Sequence, residues 1–195
     1  YSYSYWTSQD LPTSIILMSY DAFCSGSARA TATAAIKTQI AAWEAELENC
    51  TKDEEKVKKI FDLICKKVTY NDAVLEGDNS ITASEEQACF SQSIYSVLCT
   101  DTTVCAGYAD TMTLMCNGAG IDAVSVTSPG HQWNKIRIND SWYNYDATWG
   151  DQNKGIYYEY YARNDESYVN DGSSHVEEDF WEMYSPKATL DTAPS

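Results

Sequence analysis

Cys105, His131 and Asp146 are the residues of this chain whose types and spacing could do chemistry together. A thiol attacks a carbonyl carbon as its thiolate, and a neighbouring imidazole both favours that form and moves protons. The chain has only two histidines, His131 and His175. His131 has an acid within reach. Asn139-Asp140 lies between two strand-like runs, and both residues tolerate the positive φ of a two-residue hairpin turn. With that turn Ile138 faces Ser141, Trp133 opposes Asp146 and His131 opposes Thr148. Alternate residues share a face of a strand, so His131 and Asp146 become diagonal neighbours, roughly 7–8 Å apart at the backbone. A carboxylate there fixes the tautomer and orientation of an imidazole. A slip of one residue in register would separate the two groups.

Cys105 stands where the polar linker Thr100–Val104 turns into a helical pattern. The first turn of a helix offers unpaired N–H groups and the positive end of the dipole, both favourable to a thiolate. Cys116 falls on roughly the same helix face but about 16 Å further along, which makes it a core residue. Cys24, Cys50, Cys65, Cys89 and Cys99 have no histidine or acid placed to serve them. Seven cysteines leave at least one unpaired, and the other six are open to both readings, disulfides or buried thiols. With no C-x-x-C pair, a zinc ribbon is excluded.

The elements that must position these groups follow from periodicity. Ile36, Ile40, Trp43 and Leu47 mark one face of a helix over 30–48. Thr51-Lys52-Asp53-Glu54 reads as a capping box opening a second helix, with Val57, Ile60, Phe61, Ile64, Cys65 and Val68 facing the core. Ser84 and Gln87 suggest another capping box, opening a helix over 85–98. A fourth helix runs from Cys105 to Asn117 and stops at Gly118 and Gly120. The period then changes to that of strands at 121–126, 131–138 and 142–147, and 156–185 reads as a mixed closing segment. Helices first and an antiparallel sheet after them predict an α+β fold.

The 195 residues, 44% of them hydrophobic, suit one domain, with 1–28 an irregular extension in which Tyr1–Trp6 alternates as a strand would. A net charge of −16 repels phosphate backbones and excludes nucleic acid as a partner. No apolar run approaches the roughly 20 residues that span a bilayer. The start at Tyr1, the absence of a leader and the wealth of Tyr, Ser, Thr and Asn read as a processed product, secreted or displayed at the cell surface.

Three segments resemble the bacterial transglutaminase-like superfamily. Thr103-Val104-Cys105-Ala106-Gly107-Tyr108-Ala109 resembles its nucleophile segment, and Gly130-His131-Gln132-Trp133-Asn134 its Gly-His-x-Trp-Asn segment. Trp142-Tyr143-Asn144-Tyr145-Asp146-Ala147-Thr148-Trp149 is similar to its Trp-Tyr-x-x-Asp-x-Thr-Trp ending. The helix at 52–69 with Thr69-Tyr70-Asn71-Asp72 resembles the stretch before the core, and the likeness covers about 30–165.

The resemblance implies a papain-like core over 29–195, in which Cys105 attacks a carbonyl, His131 shuttles the proton and Asp146 orients His131. It also makes Gln92 a candidate oxyanion donor, and Tyr108, Trp133 and Trp149 candidate walls of a substrate site. The zinc-binding cysteine pairs of the related N-glycanases and any EF-hand-like loop are missing, so no metal and no cofactor are expected. Relatives include cross-linkers, peptidases, deamidases and inactive members. A short chain without an added domain points to hydrolysis of a peptide, protein or cell-wall peptide amide. The alternatives are a cross-linking transglutaminase and a catalytically silent surface-binding module.

Overall fold

The computed structural model describes residues 2–8, 11–18, 25–72, 90–152, 155–170 and 175–191. The N-terminal stretch departs from the expected irregular extension. Strands β1 (Ser2–Ser8) and β2 (Leu11–Met18) pair as an antiparallel hairpin.

Helix α1 (Gly26–Leu47) begins where the Ser25 hydroxyl accepts the Ala28 N–H at 3.1 Å, and it buries Ala32, Trp43 and Leu47. Helix α2 (Asp53–Lys67) starts one residue off the expected box. The carboxylate of Glu55, not Glu54, accepts the N–H groups of Thr51 and Lys52, at 2.8 and 3.3 Å. Its buried face is the expected one: Val57, Ile60, Phe61, Ile64 and Cys65, with Val68 just beyond. The helix expected over 85–98 is described only from residue 90, and the Ser84–Gln87 box lies outside the described residues. What is described is helix α3 (Ile94–Cys99), flanked by the two-residue strands β3 (Thr69–Tyr70) and β4 (Thr102–Thr103), which pair in parallel.

Helix α4 (Cys105–Gly118) ends as Gly120 takes a φ of +81°. The sheet follows as β5 (Ala123–Ser128), β6 (His131–Ile138) and β7 (Ser141–Tyr145), all antiparallel. The turn is the expected one: Asn139 and Asp140 have φ of 48° and 64°, and Ile138 pairs with Ser141. The third strand stops two residues short of expectation, because Asp146 leaves the ladder to cap helix α5 (Ala147–Gly150).

The closing region comprises β8 (Asp151–Gln152), β9 (Gly155–Ile156), β10 (Tyr161–Arg163), α6 (Asp165–Asn170) and α7 (Asp179–Tyr184). Strand β10 joins the edge of the sheet, giving the order β10-β7-β6-β5.

The sheet separates two apolar clusters. Ile136 and Ile138 pack with Met112, Met115 and Cys116 of α4 and with Ile60, Phe61 and Ile64 of α2. Val126 and Trp133 pack with Tyr168, and against Tyr160 and Trp181 of the closing region. Each fully buried side chain of this size contributes about 1.5–3 kcal/mol. One face of β6 therefore meets the helices. The other, carrying His131, Trp133 and Lys135, meets residues 160–188. The architecture is the expected α+β fold.

Candidate active site

Three local devices place Cys105. Tyr70 pairs with Thr103 across β3 and β4, and the Asn71 N–H donates to the Thr103 carbonyl at 2.8 Å. The Thr103 hydroxyl is fully buried, donates to the Ser91 carbonyl at 2.8 Å and lies 2.6 Å from the Ser96 hydroxyl. Gly107 completes the fit, since a Cβ there would stand 2.0 Å from Thr103 Oγ1. Cys105 is then the first residue of α4, half-buried, after the extended Val104.

Asp146 is placed by its role as a cap. Its Oδ1 accepts the Trp149 N–H at 3.0 Å, and α5 lies flush on α2 because residue 150 is glycine. A Cβ at Gly150 would meet Phe61 Cζ at 2.3 Å. The other oxygen, Oδ2, receives two imidazoles: His131 Nε2 at 2.7 Å and His175 Nε2 at 2.7 Å.

Burial alone would raise the Asp146 carboxyl, but the two histidine hydrogen bonds win and hold it down at about 2. Asp146 is therefore ionised at neutral pH, and both Nε2 atoms carry the protons. Burial pulls the His131 imidazole down, yet its contacts with Asp146 and with the Cys105 side chain raise it to about 9. His131 is thus a cation at neutral pH, held between an acid and a sulfur.

Tyr70 is the other group beside Cys105. Burial first, and then the nearness of the Cys105 sulfur, push its phenol up to about 12, while the Cys105 N–H donates a hydrogen bond to its oxygen and the hydroxyl contacts the Cys105 side chain. Its ring stacks on Tyr108 at 6.4 Å, and the Tyr108 hydroxyl donates to Asp151. Tyr70 and His131 open on a cleft of 740 Å³, lined also by Asp72, Trp149, Asp151 and Gln152.

Of the residues expected to wall a substrate site, Trp149 borders this cleft. Tyr108 and Trp133 do not: each is 1% exposed, and Trp133 donates its indole N–H to Asn144 at 3.0 Å. They back the site as packing, because their polar tips are satisfied inside the core. Gln92 is exposed, in the turn after Ser91, whose carbonyl accepts the Val104 N–H at 3.1 Å.

The other described cysteines, Cys50, Cys65, Cys99 and Cys116, form no disulfide with one another or with Cys105. Burial pushes the thiols of Cys65 and Cys99 up, and that of Cys116 up to about 12. Cys24 and Cys89 lie outside the described residues.

His175 is the residue that sequence reasoning missed. It sits 29 residues after Asp146, in an acidic stretch without strand or helix periodicity. The one available sign was that it is the chain's only other imidazole. The ligand atoms of His131, Asp146 and His175 lie within 4.8 Å of one another, a spacing that a metal ion could bridge. The two hydrogen bonds to Oδ2 account for the same spacing.

No curated protein matches the chain. A solved structure described as a crystal structure of a TGase superposes with a TM-score of 0.50 at 17% identity, over 66% of this chain and 34% of that one, so the chain spans about a third of its length. That likeness concerns the fold. The family model of the transglutaminase-like superfamily matches residues 41–147, from α1 to the start of α5. With more than half of its residues matched, the chain belongs to the transglutaminase-like superfamily.

Proposed function

We propose that the chain is a cysteine-nucleophile hydrolase of peptide or protein amides, with Cys105 as nucleophile, His131 as acid and base, and Asp146 as the group that orients His131. The observation that carries this reading is the His131 imidazole itself. It is bound through Nε2 to Asp146 at 2.7 Å and held cationic up to about pH 9 by that acid and by Cys105. Because Nε2 is taken, Nδ1 is the atom left to serve the sulfur.

In this mechanism the Cys105 sulfur adds to the amide carbon, and the carbonyl oxygen takes the negative charge. The Cys105 backbone N–H, at the first position of a helix, is one donor for it once the substrate oxygen takes the place of the Tyr70 oxygen to which it donates in the free protein. The Tyr70 hydroxyl, protonated at neutral pH, and the Gln92 amide are the two candidates for the second donor. The C–N bond breaks as His131 Nδ1–H protonates the leaving nitrogen, leaving a thioester. Neutral His131 then takes a proton from water, the hydroxide oxygen adds to the thioester carbon, and the sulfur leaves as Cys105. The sum is an amide and water giving an acid and an amine. Tyr70 and Trp149 are the aromatic walls of the cleft beside this chemistry, and the open 740 Å³ space beside His131 favours water as the second nucleophile.

The test is incubation with a peptide library, with and without a dansylated amine, read by mass spectrometry. New termini or deamidated glutamine, lost in Cys105→Ala, are expected. Amine incorporation outpacing hydrolysis would make the protein a cross-linker. No product of either kind, with Cys105 no more reactive than Cys50 toward iodoacetamide, would leave a silent binding module.

A further inference from the structure

The carboxylate of Asp146 carries three donors, and only His131 comes from the segment that matches the family. Trp149 N–H binds Oδ1, while His131 and His175 share Oδ2, with their ring planes 81° apart. Trp149 follows just after residue 147, where the family match ends, and His175 lies far beyond it. The His175 side chain has zero exposure, and it is enclosed by Trp133 and Trp149 at 5.1 Å each, Tyr168 at 4.5 Å and Tyr160 at 5.6 Å.

The chain around it is anchored to the sheet. Lys135, fully buried on the same face of β6 as His131, is ion-paired with Glu177 and with Asp165, the latter at 2.9 Å. Thr127 of β5 donates its hydroxyl to the Glu178 carboxylate at 2.6 Å and its carbonyl accepts the Glu178 N–H at 3.0 Å. Such anchoring fixes a side chain far more tightly than packing on a surface segment would.

We propose that His175 is a positioning residue of the catalytic site, which binds the shared oxygen of Asp146 and so sets both the angle and the charge that Asp146 presents to His131. The proposal rests on the Cys105–His131–Asp146 reading above.

The physical argument has two parts. A carboxylate held only by the catalytic imidazole would be free to turn about its Cβ–Cγ bond each time His131 gave up its proton and the hydrogen bond weakened. With His175 on Oδ2 and Trp149 on Oδ1, neither oxygen can leave its place when that happens. The second part is electrostatic. A donor on Oδ2 draws part of the carboxylate's charge away from His131. Removing it leaves a more negative partner, so the His131 imidazolium becomes harder to deprotonate. The sign is the same whether His175 is neutral or cationic. Among the described residues, the ionisable groups packed around His175 include Asp146, His131, Tyr160 and Tyr168, with the Lys135–Glu177–Asp165 cluster on the same side of the sheet.

The experiment uses the fact that the chain has two histidines, so in any His175 variant His131 is the sole imidazole signal. His175→Gln keeps an N–H near the Nε2 position. His175→Leu removes it, and His175→Asn, whose amide stops short of Asp146, serves if the leucine variant does not fold. Nitrogen-15 histidine spectra are titrated from pH 5 to 10 for each. The His131 midpoint should stay in place in His175→Gln and rise by about 0.5–1 pH unit in the variants without the donor. An unmoved midpoint in His175→Leu or His175→Asn, or an equal shift in all variants, would overturn the proposal and leave His175 as packing. Iodoacetamide mapping of the unaltered protein is run alongside. If Cys105 is not the preferred site there, it is the catalytic reading that fails, whatever the histidine spectra show.

Discussion

Gly107→Ala should be among the most damaging single-methyl additions in this chain. An alanine Cβ would sit 2.0 Å from Thr103 Oγ1, 2.9 Å from the Ser91 carbonyl oxygen and 3.0 Å from Ser96 Oγ. Ordinary contact needs about 3.4 Å or more, so more than an ångström must open between β4 and α4. Thr103 cannot simply rotate away, because its hydroxyl is fully buried and bound at 2.8 Å to the Ser91 carbonyl and at 2.6 Å to Ser96. Separating the elements strands these groups without water. Overpacking and the stranded hydrogen bonds together give a loss on the order of 3 kcal/mol. The displacement acts on the first turn of α4, two residues from Cys105. A misplacement of about 1 Å there should lower turnover by roughly a hundredfold per folded molecule. The assay is a double-mutant cycle by urea unfolding, with Thr103→Ala as the second change. Thr103→Ala alone should cost about 1–2 kcal/mol for its lost hydrogen bonds. It should also make room for the methyl group added at position 107, so the double variant should be less destabilised than the sum of the singles by about 1 kcal/mol or more. Strict additivity, or a Gly107→Ala protein as stable as the parent, would refute the close-approach argument.

Asp146→Asn should lower the His131 midpoint from about 9, because the contacts with Asp146 are lost while burial still pulls it down and only Cys105 still raises it; a nitrogen-15 titration that finds no drop would remove Asp146 from its role. The same shift makes a stability prediction. A histidine raised from 6.5 to about 9 contributes fully below pH 6.5 and loses that contribution as pH climbs through 9, so urea midpoints should fall between pH 6 and pH 9.5, by at most roughly 3 kcal/mol in free energy. Asp146 acts in the opposite window, its contribution disappearing as pH falls from about 4 to 2. Lys135→Met should destabilise by about 3–5 kcal/mol, since Asp165 and Glu177 would be left facing each other, and a change under 1 kcal/mol would show that the buried pair is dispensable. Activity on any accepted substrate should survive EDTA; activity lost to the chelator and restored by a divalent cation would reassign His131, Asp146 and His175 as metal ligands.

The hairpin was the most legible part of the sequence, because turn chemistry and a period of two leave little freedom. Asn139 and Asp140 adopt positive φ, and the expected register holds as far as Asn134 opposite Tyr145; beyond it Asp146 leaves the ladder, so Trp133 and His131 do not gain the strand partners Asp146 and Thr148, and the Asp146 side chain meets His131 at 2.7 Å from its place as a helix cap. The helix faces were legible for the same reason, from Val57 to Cys65. Errors fell where a side chain overrode a periodic pattern, as where Asp146 left the strand to cap α5 and where Glu55 took the role expected of Glu54. What was not legible came from distant segments. Nothing local announces that Tyr70 will face Cys105 across a two-residue parallel pair, or that residue 175 will return to residue 146. Lys135 did carry a sign, since it shares a face of β6 with His131 and Trp133, and a cation in such a row demands partners from elsewhere.

The buried Lys135 also sets an order of events during synthesis. A chain emerging from the ribosome exposes α4 and the β5–β7 hairpins first, and at about 5–20 residues per second their partners Asp165 and Glu177 follow seconds later. Until then the ammonium of Lys135 has nothing to neutralise it in a dry interior, and that face of the sheet has to stay wet. The thiol, the imidazole and the acid are thus translated well before the segment that lets them be sealed. A nascent chain would carry the side chains of the site for a short time without its architecture, which is complete only once the segment bearing Asp165, His175 and Glu177 has docked.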